Sequence, residues 1–381
     1  MSPRSAGPPD PSSYRSIEFT GRAPHVRTQL DVPTVMRCVV MSTLPCVAMA
    51  LYNTGYQANL ALAAGAVRSP GWRDLVLQVL APGQSPTRVW DCLVQGATYF
   101  IPLLAVSLVA GFLAEQIFAR LRRRPSDHVA LAVIALLFTL CLPPTLPLWK
   151  AGLGSALAFV VGKEIFGGVG RNFLNPPLAG LALLYFAYPG SLTGSSVWVP
   201  IDGLSGATPL AVVTNGGLAG IEASGLDWSS AAIGLVPGPM GATSPLACGL
   251  GAAVLLYLGV ASWRILVGGL LGLALALLVL ELLGAQGPGI GVPWYWHAVA
   301  GGFAFGLVFL ATDPVTSAAT NPGRLIYGAL IGVLVVVIRV ANPAHRDGVM
   351  LAILLGNVTA PLIDRVVAWI EMRRRRSVDV R

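Results

Sequence analysis

The sequence predicts an all-α, polytopic membrane protein of about ten transmembrane helices, and three observations carry that expectation. Of 381 residues, 55% are hydrophobic and only 11% are charged, where about 25% charged is usual in soluble domains. Mean hydropathy is +0.71, and 44 glycines and 29 prolines lie among apolar stretches, a mixture that membrane helices tolerate better than soluble ones. Runs long enough, or nearly so, to cross about 30 Å of hydrocarbon recur along the chain. The formal net charge of +8 is gathered in the N-terminal stretch, at 120–124 and at 373–376. Such clustering suits an orientation signal better than a nucleic-acid surface.

In chain order, residues 1–30 form a polar, proline-rich arm bearing Arg4, Arg15, Arg22 and Arg27, with no apolar stretch of signal-peptide type. The apolar runs fall at 33–51, 97–119, 128–146, 151–166, 177–190, 243–261, 265–283, 296–312, 325–341 and 348–370. Together, 31–372 read as one transmembrane domain and 373–381 as a basic tail. With the N-terminus inside, residues 120–124, Lys163, Arg171, Arg264, Arg324 and 373–376 all fall inside. The segment from Arg171 to Arg264 holds no Lys or Arg but contains Asp202, Glu222 and Asp227, so its loop, 191–242, falls outside. Arg68, Arg73, Arg88 and Arg346 go against this pattern. Both termini are then cytoplasmic. A loose recurrence of Gly206-Ala-Thr-Pro-Leu-Ala as Gly241-Ala-Thr-Ser-Pro-Leu-Ala, and two Asn-Pro pairs at Asn175 and Asn321, raise a five-plus-five inverted repeat.

Three polar stretches interrupt the apolar chain. Asp202-Gly203-Leu204-Ser205-Gly206-Ala207-Thr208-Pro209 ends in a hydroxyl followed by proline, the pattern of a helix N-cap with Pro at the first helical position. A helix start has unpaired N–H groups and a positive dipole end, which suits a phosphate; taken alone, it is also simply a capped turn. Residues 162–176, with Lys163, Glu164, Asn172 and Asn175 among glycines, offer either close approach to a planar ring or a turn capped by Asn side chains. Ala311-Thr312-Asp313-Pro314-Val315-Thr316-Ser317 offers hard oxygen ligands for a monovalent cation, or a carboxylate capping a broken helix. Asp364 and Glu115 are carboxylates within apolar runs, where a charge costs roughly 2.5–3.5 kcal/mol on insertion scales. Gly111 and Phe112 offer flat apolar surface beside a small residue. Five scattered cysteines without a C-x-x-C spacing, and four dispersed histidines, predict no metal site. No phosphate-binding loop or dinucleotide fingerprint occurs, so no NADH site is expected on this chain.

The Asp202–Thr208 motif resembles the one on which a flavin transferase esterifies FMN to threonine in two related respiratory complexes: the B subunit of the sodium-pumping NADH:quinone reductases and the D subunit of the Rnf complexes. The Lys163–Pro176 and Thr312–Val315 runs, with Pro293-Trp294-Tyr295-Trp296-His297 and Pro143-Pro144-Thr145-Leu146-Pro147, favour the sodium pump. The resemblance covers about residues 23 to 376. It implies covalent FMN on Thr208, framed by Asp202, Ser205, Gly206 and Ala207, and riboflavin by Asn172 and Asn175. It also implies ubiquinone near Gly111 and Phe112, and sodium uptake involving Glu115, Asp313 and Asp364. Ala110-Gly111 departs from the family's Gly-Gly pair at that place. The implied protein is a translocase component of the bacterial inner membrane, among lipid and partner subunits of A, C, D, E and F type. The residue pattern alone leaves a rival class, a non-redox transporter of a small solute or cation, and within the family an Rnf-type component.

Overall fold

In the computed structural model, the described residues are 31–67, 71–123, 126–193, 197–200, 207–287, 289–341 and 347–378. The N-terminal arm, Asp202, Ser205, Gly206, Arg68 and Arg346 lie outside them. The described chain is helical: α1 (Val32–Ala63), α2 (Trp72–Leu80), α3 (Val89–Arg122), α4 (His128–Leu140), α5 (Leu148–Phe159), α6 (Pro176–Ala187), α7 (Pro209–Ser224), α8 (Trp228–Ile233), α9 (Pro245–Tyr257), α10 (Trp263–Leu282), α11 (Trp294–Val299), α12 (Phe303–Phe305), α13 (Asn321–Ala341) and α14 (Val349–Val378). Turns of π-helix extend α5 over Val160–Glu164 and α12 over Gly306–Leu310. Among the described residues five helices, α1, α3, α10, α13 and α14, are long and apolar enough to cross a membrane individually, and α4, α6 and α9 are shorter apolar helices.

Side-chain caps open many of these elements. Asp31 accepts from Thr34 N–H, Asp127 from Val129 and Ala130 N–H, Asn175 from Leu178 N–H, and Ser244 from Ala247 N–H. Each fills an orphan donor of a first turn, which matters most where no water competes.

Two cavities fix the direction of most crossing segments. Met36 of α1, Lys163 beyond α5, Pro176 of α6, Leu255 of α9 and Asp313 line one. Cys141 after α4, Thr208, Thr243 before α9, Gly302 before α12 and Met350 of α14 line the other. Glu115 beside Lys163 fixes the direction of α3 and Arg339 at the His297 carbonyl that of α13, and α10 runs parallel to α13. The chain therefore passes back and forth between an Asn175 end and a Thr208 end, entering and leaving the described structure at the Asn175 end. α6, with 12 residues, spans about 18 Å of that separation at 1.5 Å per residue. One close crossing is the parallel pair α10–α13. A Cβ on Gly272 would lie 2.1 Å from the Ala329 carbonyl oxygen, and one on Gly332 2.2 Å from that of Gly269. Backbones that close exclude any side chain, the packing mode of small residues in membranes.

Several boundaries differ from the sequence expectation. α1 runs on to Ala63 instead of ending near 51, because its polar residues Asn53, Gln57 and Asn59 are buried against neighbours. Asn53 Nδ2 donates to the Val236 carbonyl at 2.9 Å, so a hydropathy break marks a buried polar seam and not a helix end. The run 296–312 is not one helix but α11, a turn and α12. Residues 373–378 continue α14, so the expected separate tail begins as helix. α2 and α8 were not expected, whereas α7 starts at the Thr208-Pro209 cap. The Asn-Pro pairs at Asn175 and Asn321 follow segments that run in the same direction, so they do not relate oppositely oriented halves. The recurrence at Thr208 and Ser244 is cap chemistry: each hydroxyl caps a helix with Pro at its start, but α7 lies within the Thr208-end loop while α9 crosses.

Candidate functional site

Thr208 sits in extended conformation (φ −69°, ψ 153°), and its Oγ1 accepts from Ala211 N–H at 3.2 Å. The N-cap expected from Thr-Pro is formed. The hydroxyl borders a cavity of about 500 Å³ whose wall includes Trp198, Tyr185, Asn215, Val236 and Asp347. That volume lies in the range of small-molecule and cofactor sites. Its mixture of aromatic wall and few polar groups fits a flavin ring, and the start of the 16-residue α7 fits a phosphate. Ala207 lines the same cavity and is exposed. Asp347 opens onto it from an exposed position; desolvation by the surrounding protein raises its carboxyl to about 6, the Arg339 cation pulling the other way. α7 kinks at Gly217 (φ 57°, ψ −146°), turning its second half away from the first.

At the opposite end, Asn172 and Asn175 do come together with Asp313, around a space of about 60 Å³. Their amides are already engaged. Asn172 Nδ2 donates to the Leu174 carbonyl, and Asn175 Nδ2 donates to the Leu310 carbonyl at 3.1 Å. Leu310 ends the second π-turn, whose altered register frees carbonyls, and Asn175 fills one of them. The space between these side chains, as they stand, is narrow. Asn357, 1% exposed within α14, accepts from Asn175 N–H at 3.0 Å and bonds the Tyr327 hydroxyl at 2.7 Å with its amide oriented to satisfy both neighbours. The sequence reading missed this buried polar chain; an Asn inside the 348–370 apolar run was the available signal.

The three acidic residues have three different environments. Glu115 is buried and pairs with Lys163 Nζ at 3.2 Å, while its Oε1 accepts from Asp127 N–H at 2.6 Å. Lys163, 2% exposed, also lies 3.7 Å from Glu164 and 5.5 Å from the Phe159 ring centre. Asp313 accepts from Val315 N–H and the Thr316 hydroxyl, the broken-helix cap, and faces the same small space as Lys163. Asp364 accepts from Ala319 N–H at 2.7 Å, Thr320 N–H at 2.9 Å and the Thr320 hydroxyl at 2.6 Å. It thereby clamps the chain entering α13. Gly111 is covered by the Phe159 ring, 2.3 Å from a built Cβ, whereas Phe112 is exposed and stacks on His128 at 6.3 Å. The two therefore do not line one pocket. Among the described residues there is no cluster of metal-ligating side chains.

Basic side chains mark the two ends unequally. Arg120, Arg122, Arg123, Lys163, Arg171, Arg264, Arg324, Arg373 and Arg374 lie at the Asn175 end. The Thr208 end has Arg73, Arg88 and Arg339, plus Lys150, which the charge reading overlooked. Lys150 donates to the Ser191 hydroxyl and packs over Trp149 and Tyr188.

Fold and site together define a multi-pass membrane protein with one roomy apolar cavity at a phosphate-friendly helix start and a buried ionic cluster at the other end. The chain belongs to the NQR2, RnfD, RnfE family, whose model matches residues 19–372. It is 44% identical over 371 residues to the B subunit of the Na(+)-translocating NADH-quinone reductase of Azotobacter vinelandii, covering 96% of this chain and 92% of that protein. Proteins of the same name from Ectopseudomonas mendocina (45% over 371 residues; 96% and 92%) and Chromohalobacter salexigens (44% over 367 residues; 96% and 89%) are similarly close.

Proposed function

We propose that this chain is the flavin-carrying membrane component of a sodium-translocating NADH:quinone oxidoreductase, working beside the other subunits of that complex and holding no NADH itself. The observation that carries this reading is the Thr208 hydroxyl at the edge of the 500 Å³ cavity, at the start of α7. FMN esterified there by a flavin transferase supplies one- and two-electron redox chemistry. The chain's own residues do the rest: α7 N–H groups face the phosphate, Trp198 and Tyr185 exclude water from the ring, and Asn215 supplies polar contact. Asp202, Ser205 and Gly206 precede the threonine and serve recognition by the transferase.

The excess of Lys and Arg at the Asn175 end makes that end cytoplasmic and the Thr208 end periplasmic in a bacterial inner membrane. Electrons delivered at Thr208 are destined for ubiquinone, with Phe112 and His128 the exposed aromatic surface nearest the expected quinone site. Sodium passes the buried Glu115–Lys163 cluster and Asp313, while Asp364 holds the entrance to α13 in place. Asn172 and Asn175, beside which the resemblance implies riboflavin, lie at that same end near Asp313.

The test is peptide mass spectrometry on the protein purified from a host with an active flavin transferase. The expected result is a Thr208 peptide heavier by esterified FMN, with the modification lost in Thr208→Ala. An unmodified Thr208 peptide from that host overturns the reading in favour of a non-redox transporter.

A further inference from the structure

Arg339 lies near the end of α13 and is 4% exposed. Its Nη1 donates to the His297 carbonyl at 2.7 Å, its Nη2 to the Ala300 carbonyl at 2.9 Å and its Nε to the Asp347 carbonyl at 3.3 Å. The first two carbonyls belong to the end of α11 and the turn after it, where the chain breaks before α12. Gly301 and Gly302 there take the left-handed conformation (φ 74° and 68°), so no intrahelical donor reaches those oxygens. The third opens α14. Gly301 and Gly302 form one part of the wall of the Thr208 cavity, and Asp347, Gly348 and Met350 another. A Cβ on Gly301 would lie 3.2 Å from Arg339 Nη2, so the guanidinium stands directly behind the wall.

Resting on the reading that Thr208 carries a flavin, we propose that Arg339 is a positioning residue for it: the guanidinium ties two separate walls of the cavity together and presents a buried positive charge to the ring. Carbonyls in three directions need a planar, multiply donating cation, which lysine does not provide. Among the described residues no carboxylate forms an ion pair with Arg339; three carbonyl dipoles offset its charge, together with the longer-range pull of the Asp347 carboxylate. A cation behind the wall favours the electron-rich reduced flavin and raises its midpoint potential, by less than a lone charge would because Asp347 faces the same cavity.

The test uses the detergent-purified whole complex carrying Arg339→Gln or Arg339→Lys, with two readouts. Hydrogen exchange follows the amides of 300–302 and 347–350, and a redox titration follows the flavin on Thr208. Arg339→Gln is expected to speed exchange in both segments at least several-fold and to shift the flavin potential to more negative values. Arg339→Lys is expected to loosen the walls while keeping the potential near wild type. Wild-type exchange in both segments of Arg339→Gln overturns the tie, and faster exchange with an unchanged potential overturns the charge effect. If the glutamine variant does not accumulate, wild-type exchange in the lysine variant overturns the tie, and faster exchange sustains it. A wild-type protein without flavin overturns the proposed function instead, and the exchange measurement still decides the tie.

Discussion

Replacing Lys163 by methionine removes the cation that pairs with Glu115 and leaves a carboxylate in a dry site. Both side chains are nearly inaccessible, at 2% and 4% exposure, so solvent screening does little to soften the loss. At 3.2 Å the pair attracts by about 5 kcal/mol at an effective dielectric near 20. Much of that offsets desolvation of the two ions, and removal of one partner from a buried pair costs about 3–5 kcal/mol. The backbone N–H of Asp127 stays bonded to Glu115 Oε1 and keeps the cost toward the lower figure. Lys163→Met should therefore lower the thermal midpoint of the detergent-solubilised protein by several degrees. The double variant Lys163→Met/Glu115→Gln, with no orphaned charge at that pair, should recover part of the loss, the rest lying with Glu164, which also loses its lysine. A single variant as stable as wild type, or a double variant no better than the single, would refute the reasoning that the pair is a desolvated unit. The same variants bear on transport, since Glu115 engaged by Lys163 is available to a passing cation only when that contact yields.

Two further perturbations test the packing and the cap chemistry. Gly272→Val places its Cβ against the fixed Ala329 carbonyl; overpacking of this kind costs about 1–3 kcal/mol, and a thermal midpoint equal to wild type would show that α10 and α13 are not in backbone contact. Asp227 opens α8, and the Ser229 hydroxyl, followed by the Ser230 N–H, holds its carboxyl below the ordinary value. Stability from a lowered carboxyl is present above its unfolded pKa, about 3.9, and disappears as pH falls through the folded value. The difference in thermal midpoint between wild type and Asp227→Ala should accordingly hold steady from neutral pH to about 4 and close below that; a gap that persists or widens on acidification contradicts the cap.

The sequence by itself determined the elements that depend on local chemistry. Low charge and long apolar runs made the chain a membrane protein, because hydrocarbon penalises charge wherever it falls. Thr208-Pro209 and Asn175-Pro176 announced helix starts, because an N-cap needs only its own first turn. The clustering of Arg and Lys outlined the alternation of the crossings. Polar residues inside α1 were illegible as helix because their partner, the Val236 carbonyl, is supplied from a distant segment. The break at Ala300–Gly302 was hidden for a similar reason: the three carbonyls that Arg339 binds are paired by a side chain from another helix. The carboxylates show the limit most plainly. Glu115, Asp313 and Asp364 look alike as acidic residues among apolar ones, yet tertiary structure gave one a lysine, one its own turn and one the N–H groups of another helix's entrance. Burial makes charge dependent on whatever lies within a few ångströms, and only the packed fold decides what that is.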